Sequence, residues 1–269
     1  MLEVIDKGSL TESHAAPLLF VHGGQRAAWC WDEHFLDFFA AKGYRAVAVS
    51  LRGHGTSSNP KPPRACSMTD YVEDVRTVAD NLPQTPVVIG HSLGGFVVQK
   101  YLESHAAPAA VLVASAPPQG AAAALLRHAG ALLRNMSQHP WRTVKAGVTG
   151  QSSPDVNELE QVRTMFFSEH TPESLVARYA ERLQKEPSGK WALDMVFLNL
   201  PKPRRVGTPL LVLGAQCDGS VTPQEAHATA HAYRTQAEIF PDMGHDMMLE
   251  PGWVAVAHRI HTWLCAQGL

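Results

Sequence analysis

Short apolar runs alternate with amphipathic stretches along the first 116 residues. "PLLFVH" (17–22), "YRAVAVS" (44–50), "PVVIG" (86–90) and "AAVLVAS" (109–115) are rich in aliphatic and β-branched residues. Each is nearly continuous rather than alternating, the pattern of a parallel strand covered on both faces. Between them, 31–43, 67–82 and 93–106 carry helical periodicity, the first ended by Gly43 and the second capped by Ser67 or Thr69. "LEVIDKG" (2–8) adds a candidate edge strand. The alternation predicts a doubly wound α/β fold with a mostly parallel sheet.

The rhythm changes after about residue 117. Only helical patterns follow, over 120–136, 140–149, 154–168, 172–186 and 189–199, with Ser153-Pro154 and Thr171-Pro172 as helix starts. Strands resume with "LLVLG" (210–214). A helix from about 223, the short strand "AEIF" (237–240) and a last helix over 251–266 complete the chain. The organisation expected is a core from 1–116 and 204–269, interrupted by an inserted helical cap over 117–203.

Composition narrows the class. The 269 residues are 45% apolar and 18% charged, enough to bury a large core. A net charge of −2 gives no reason to expect nucleic acid or an anionic membrane as partner; a small molecule is the expected one. No apolar run is long enough to span a bilayer. Cys30, Cys66, Cys217 and Cys265 form no CxxC pair and read as reduced thiols; with no signal-peptide pattern at the N-terminus, the expected location is cytoplasmic. Monomer and dimer both remain open.

The chemistry starts at "GHSLGG". Gly90-His91-Ser92-Leu93-Gly94 fits G-x-S-x-G between an apolar strand and an apolar-periodic helix, the context of a serine on a strained elbow. Gly90 and Gly94 supply the clearance such a bend needs. A glycine turn with an incidental serine is the bland alternative. A serine hydroxyl needs a base. His91 adjoins Ser92, but neighbouring side chains on an elbow point apart. His245, in the loop after the last strand, falls at the C-terminal edge of the sheet and is the better candidate. Asp218, after "LLVLG", falls on the same edge and would fix the imidazole tautomer. Asp242 and Asp246 flank His245 too closely to orient it easily. The N–H groups of Gly24, in His22-Gly23-Gly24, and of Leu93 are candidate oxyanion donors.

"FVHGG", "VSLRGHGTS", "GHSLGG", "CDGSVTP" and "MGHDMMLEP" together resemble the α/β-hydrolase family in order and spacing, over nearly the whole chain except the cap. The resemblance points to the esterase and lysophospholipase-like branch of serine hydrolases and implies no cofactor and no metal. "AAWCW" (27–31) is similar to a stretch of small plant-type esterases. The family usually has Asp where Ser50 stands, and "RGHGTS" reads as structural. A serine rather than an aspartate nucleophile argues against the epoxide-hydrolase and haloalkane-dehalogenase branches.

The expected chemistry is hydrolysis of a carboxylic ester through an acyl-enzyme, with a small to medium apolar acyl group. Trp29, Met136, Met165, Phe166, Trp191 and Phe197 are candidate pocket residues, although for each of those in the cap, taken alone, packing within the cap is the stronger explanation. Carbon–carbon hydrolysis of ring-cleavage diketones, lactone or thioester hydrolysis, and a catalytically silent small-ligand receptor are the alternatives. His227 with His231, and His258 with His261, sit at helical i, i+4 or i+3 spacing without a third ligand nearby, and "PKPRR" (201–205) is a short basic return.

Overall fold

The computed structural model describes residues 1–11, 14–62, 65–120, 122, 156–184 and 189–269. Seven strands form one sheet in the order β1-β3-β2-β4-β5-β6-β7. They are β1 (Val4–Lys7), β2 (Leu18–Val21), β3 (Ala46–Val49), β4 (Val87–His91), β5 (Ala110–Val113), β6 (Leu210–Ala215) and β7 (Ala237–Phe240). β1 pairs antiparallel with β3, and every other pairing is parallel. The central strands β2 to β6 are buried at every position, which is why they read as unbroken apolar runs.

Helices cover both faces. One face packs α1 (Trp29–Asp32), α2 (Phe35–Ala41) and α9 (Trp253–Ala266) around Phe20, Ile89 and Leu213. The other packs α3 (Met68–Asp80), α4 (Leu93–Tyr101) and α8 (Pro223–Ala232) against Leu19, Val88 and Leu112. Ser67 caps α3 in a capping box with Asp70, and Thr222 caps α8 in another with Glu225. The helix expected over 31–43 divides in two at His34, whose backbone leaves the helical region while its ring stacks on Trp253 at 4.6 Å. The helix after Ser92 ends at Tyr101, five residues short of the expectation based on periodicity.

Between β5 and β6 the described elements are α5 (Val156–Phe166), α6 (Glu173–Ala180) and α7 (Lys190–Leu193), the last running into a π-helical turn over Asp194–Leu198. A 3-10 turn, Pro203–Arg205, leads back to the sheet. The helix expected over 140–149 lies outside the described residues, as do most of the one expected over 120–136 and the Ser153-Pro154 start. Among the described residues, no helix is long and apolar enough to cross a membrane.

Buried ion pairs tie loops to this frame. Arg52, in "RGHGTS", donates to both Asp74 oxygens (Nε at 2.9 and 3.0 Å, Nη2 at 2.6 Å) and to Asp70 Oδ1 at 3.1 Å. Ser50 accepts the Ala28 N–H at 2.9 Å and donates to Glu3 Oε2 at 2.5 Å, so the loop after β3 is bound to both α1 and the N-terminal strand. Truncating Arg52 removes the guanidinium from the Asp74 carboxylate, whose side chain is 3% exposed, and leaves it the Arg52 backbone N–H at 2.8 Å. Arg52→Ala should cost about 3 kcal/mol, or roughly 6–12 °C in Tm. Arg76→Ala, which breaks only exposed pairs on α3, should cost under about 1 kcal/mol. Thermal melts of the two variants check the contrast.

Candidate active site

The chain reverses its winding between β2 and β4, and the loops that follow these two strands meet there. Ser92 is the single residue between β4 and α4. Its φ of 51° and ψ of −117° place it in a region that L-residues avoid. Neighbouring backbone holds it: its N–H donates to Val113 O at 3.1 Å, and its carbonyl accepts from Phe96 and Ala116, both at 3.2 Å. The glycines supply the clearance. A Cβ at Gly90 would lie 2.5 Å from Gly94 O; one at Gly94 would run into the Val21 and His22 carbonyls, and one at Gly95 into Ser115.

Asp218 lies in the loop after β6. Its Oδ1 accepts the N–H groups of Ser220 and Val221, both at 2.7 Å. That leaves Oδ2 for His245 Nδ1 at 2.8 Å. Nδ1 is then the protonated nitrogen of His245, and Nε2 is left as the basic one. Both side chains are buried, whereas Ser92 is partly exposed. Among the described residues no hydrogen bond joins the Ser92 hydroxyl to His245; in resting enzymes such a bond often forms only with substrate present.

The loop after β2 lies against the elbow. A Cβ on Gly23 would be 2.6 Å from His91 Nδ1 and 3.0 Å from Ser92 Cβ. His22 is fully buried between two backbone partners: Nδ1–H donates to Gly23 O at 2.7 Å and Nε2 accepts Leu51 N–H at 3.0 Å. Gly24 follows, and Gln25 takes a φ of 63°. Leu93 opens α4, so its N–H has no acceptor within the helix. His91 points away from Ser92 into the core; its Nε2–H donates to the His245 carbonyl at 3.0 Å, and the two rings lie 4.7 Å apart.

The family model described as "Alpha/beta hydrolase family" matches residues 18–257. The chain belongs to the alpha/beta hydrolase family. It is 38% identical over 110 residues to a non-heme chloroperoxidase of Burkholderia pyrrocinia, a match covering 39% of this chain and 38% of that one. It is 36% identical over 108 residues to the bifunctional esterase/perhydrolase DCH of Acinetobacter calcoaceticus, covering 38% of each. The match thus spans well under half the length of these curated relatives. A thermophilic esterase of Thermogutta terrifontis superposes with a TM-score of 0.72 at 21% identity, over 100% of this chain and 94% of that one.

This alpha/beta hydrolase places the expected pocket residues unevenly. Phe166 is buried with its ring 6.0 Å from that of His245. Met165, next to it, is partly buried, and its carbonyl accepts the Ser220 hydroxyl at 3.1 Å. Trp29 is covered by the Arg182 guanidinium at 4.0 Å and faces Tyr179 at 6.2 Å. Trp191 packs on the opposite face of the sheet, its N–H on Cys66 O at 2.8 Å. Phe197 is 62% exposed. Met136 lies outside the described residues.

Three buried side chains at the site carry no sequence signal. Arg26 donates to Asp246 Oδ2 through Nε at 3.0 Å and Nη2 at 2.6 Å, and to Gly24 O through Nη1 at 2.7 Å. Glu250 Oε1 accepts the N–H groups of Ser168 (2.5 Å) and Gly244 (2.8 Å), and its Oε2 accepts the hydroxyls of Ser168 (2.9 Å) and Thr171 (2.6 Å). His91, His245 and Asp246 each offer a donor atom within 4.8 Å of the others. Asp218 holds His245 Nδ1 and Arg26 holds Asp246 Oδ2, which leaves His245 Nε2 and Asp246 Oδ1 as the atoms these two residues could offer an ion.

Burial pushes the pKa values of His22 and His91 well below the usual histidine value. Above about pH 6.5 both are neutral whether the chain is folded or not; below it the unfolded chain gains protons that the fold refuses. Stability is therefore fully present above pH 6.5 and is lost as pH falls. Two such histidines cost about 2–3 kcal/mol between pH 7.5 and 5.5. Urea midpoints at the two pH values measure this, and equal midpoints would contradict it.

Proposed function

We propose that this alpha/beta hydrolase is a serine hydrolase that cleaves carboxylic esters through an acyl-enzyme. The observation that carries the reading is the 2.8 Å bond from His245 Nδ1 to Asp218, on the sheet edge where Ser92 occupies its strained bend. Ser92 Oγ attacks the acyl carbonyl as His245 Nε2 takes its proton. Asp218 fixes the imidazole and stabilises the imidazolium. The Gly24 and Leu93 N–H groups receive the oxyanion. His245 then protonates the leaving alcohol. Water, activated by the same imidazole, releases the acid and restores Ser92. Phe166 and Met165 beside the site favour an apolar acyl group of small to medium size.

A second reading takes the same acyl-enzyme to hydrogen peroxide instead of water. It is favoured by the name of the relative described as a bifunctional esterase/perhydrolase. Hydrolysis of a carbon–carbon bond, a lactone or a thioester would use the same residues, and a substrate panel separates these.

A fluorophosphonate probe should label the wild type and not Ser92→Ala. His245→Ala should lower kcat on p-nitrophenyl acetate by about 10^3-fold or more. His91→Gln should retain far more activity than His245→Ala, because His91 faces the core. Equal labelling of wild type and Ser92→Ala would overturn the nucleophile, and an unlabelled wild type would favour the silent-receptor alternative. Peracid formation on adding hydrogen peroxide to the ester assay would favour the second reading.

A further inference from the structure

Besides Asp218, the site buries an ion pair outside the three residues of the proposed triad. Arg26 and Asp246 are 2% and 1% exposed and belong to different loops. Arg26 sits two residues beyond Gly24, and Asp246 directly follows His245. Both contacts of Arg26 with Asp246 fall on Oδ2, and the third hydrogen bond of the guanidinium holds the Gly24 carbonyl. The guanidinium also lies 4.1 Å over the Phe166 ring, and the Asp246 N–H donates to Phe166 O at 2.9 Å. Asp246 Oδ1 has no hydrogen-bond partner among the described residues and faces His91 Nε2 at 3.7 Å. A ring nitrogen of His245 lies within 4.8 Å of the Asp246 carboxylate.

Isolated buried ion pairs are weak stabilisers, because desolvation offsets their attraction. This one has a direction instead. Its negative end adjoins the imidazole of His245, and its positive end is bound to the loop that carries Gly24. The reaction proposed above creates charges in the same sense, positive on His245 and negative at the Gly24 and Leu93 N–H groups. We infer that Arg26 and Asp246 are positioning residues, a fixed internal dipole that bridges the oxyanion loop and the histidine loop and is aligned with the charge separation of acyl transfer. The inference rests on the acyl-enzyme reading. Fixed dipoles of this kind favour a transition state without reorganising during the reaction.

Steady-state kinetics on p-nitrophenyl acetate from pH 5 to 9, with thermal melts of each full-length variant, test it. Asp246→Asn should lower kcat about tenfold or more with KM within about twofold of wild type. Arg26→Met/Asp246→Leu removes both charges together and strands neither, so its Tm should match or exceed the wild type. Its kcat should still fall about tenfold or more. That variant keeps the test decisive even if Asp246→Asn does not fold. Wild-type kcat in the folded double variant would overturn the inference and leave the pair a structural tie. So would an Asp246→Asn variant whose KM rises while its kcat stays at the wild-type value. Full activity in Ser92→Ala would instead overturn the acyl-enzyme reading, an outcome recognisably different from either.

Discussion

The site depends on one backbone constraint: a serine held at positive φ in the single residue between a parallel strand and a helix. Such a residue costs on the order of 1–3 kcal/mol and persists only where its surroundings over-determine it. Here they do. Three backbone hydrogen bonds fix Ser92 to β5, to the loop after β5 and to the first turn of α4. The glycines before and after it remove every Cβ that would push the bend open. The bend in turn sets what surrounds it. His91 is turned inward, Ser92 faces outward, and the loop after β2 comes close enough that Gly23 can carry no side chain.

Much of this was legible in the sequence, and the physical reason is locality. Buried parallel strands must be continuously apolar, and a serine elbow must have small neighbours, so "PVVIGHSLGG" carries both constraints within ten residues. Asp218 and His245 could be placed because parallel topology puts the C-terminal ends of β6 and β7 on one edge. Helix ends were less legible. The break at His34 goes with the stacking of its ring on the distant Trp253, which local propensity does not reveal. Arg26 paired with Asp246, and Glu250 paired with Ser168 and Thr171, are contacts 220, 82 and 79 residues apart. Charged residues read from sequence look like solvated ones, and nothing local marks these as buried. The pocket was least legible, because an apolar side chain in a helical insertion fits a cap interior as well as a substrate. The Phe166 ring lies 6.0 Å from that of His245, Trp191 packs against the cluster on the other face of the sheet, and Phe197 is exposed.

Buried polarity in this fold is concentrated where loops must be held together rather than spread through the core. Arg52 with Asp74, Arg26 with Asp246, and His22 with Leu51 each join segments that share no secondary structure. Each satisfies groups that would be costly if left unpaired, and each therefore specifies one arrangement of its loops. The sheet and helices supply a rigid frame through apolar contact, and the polar ties set the relative positions of the loops on its C-terminal edge.

Glu250 extends that logic beyond the sheet. One carboxylate gathers four donors, one from the loop that carries His245 and three from the turn after α5. The turn and the histidine loop are thus pinned to a common point. The carboxy-terminal end of α5 is an anchored pivot, and it cannot swing without pulling on the loop that carries the imidazole.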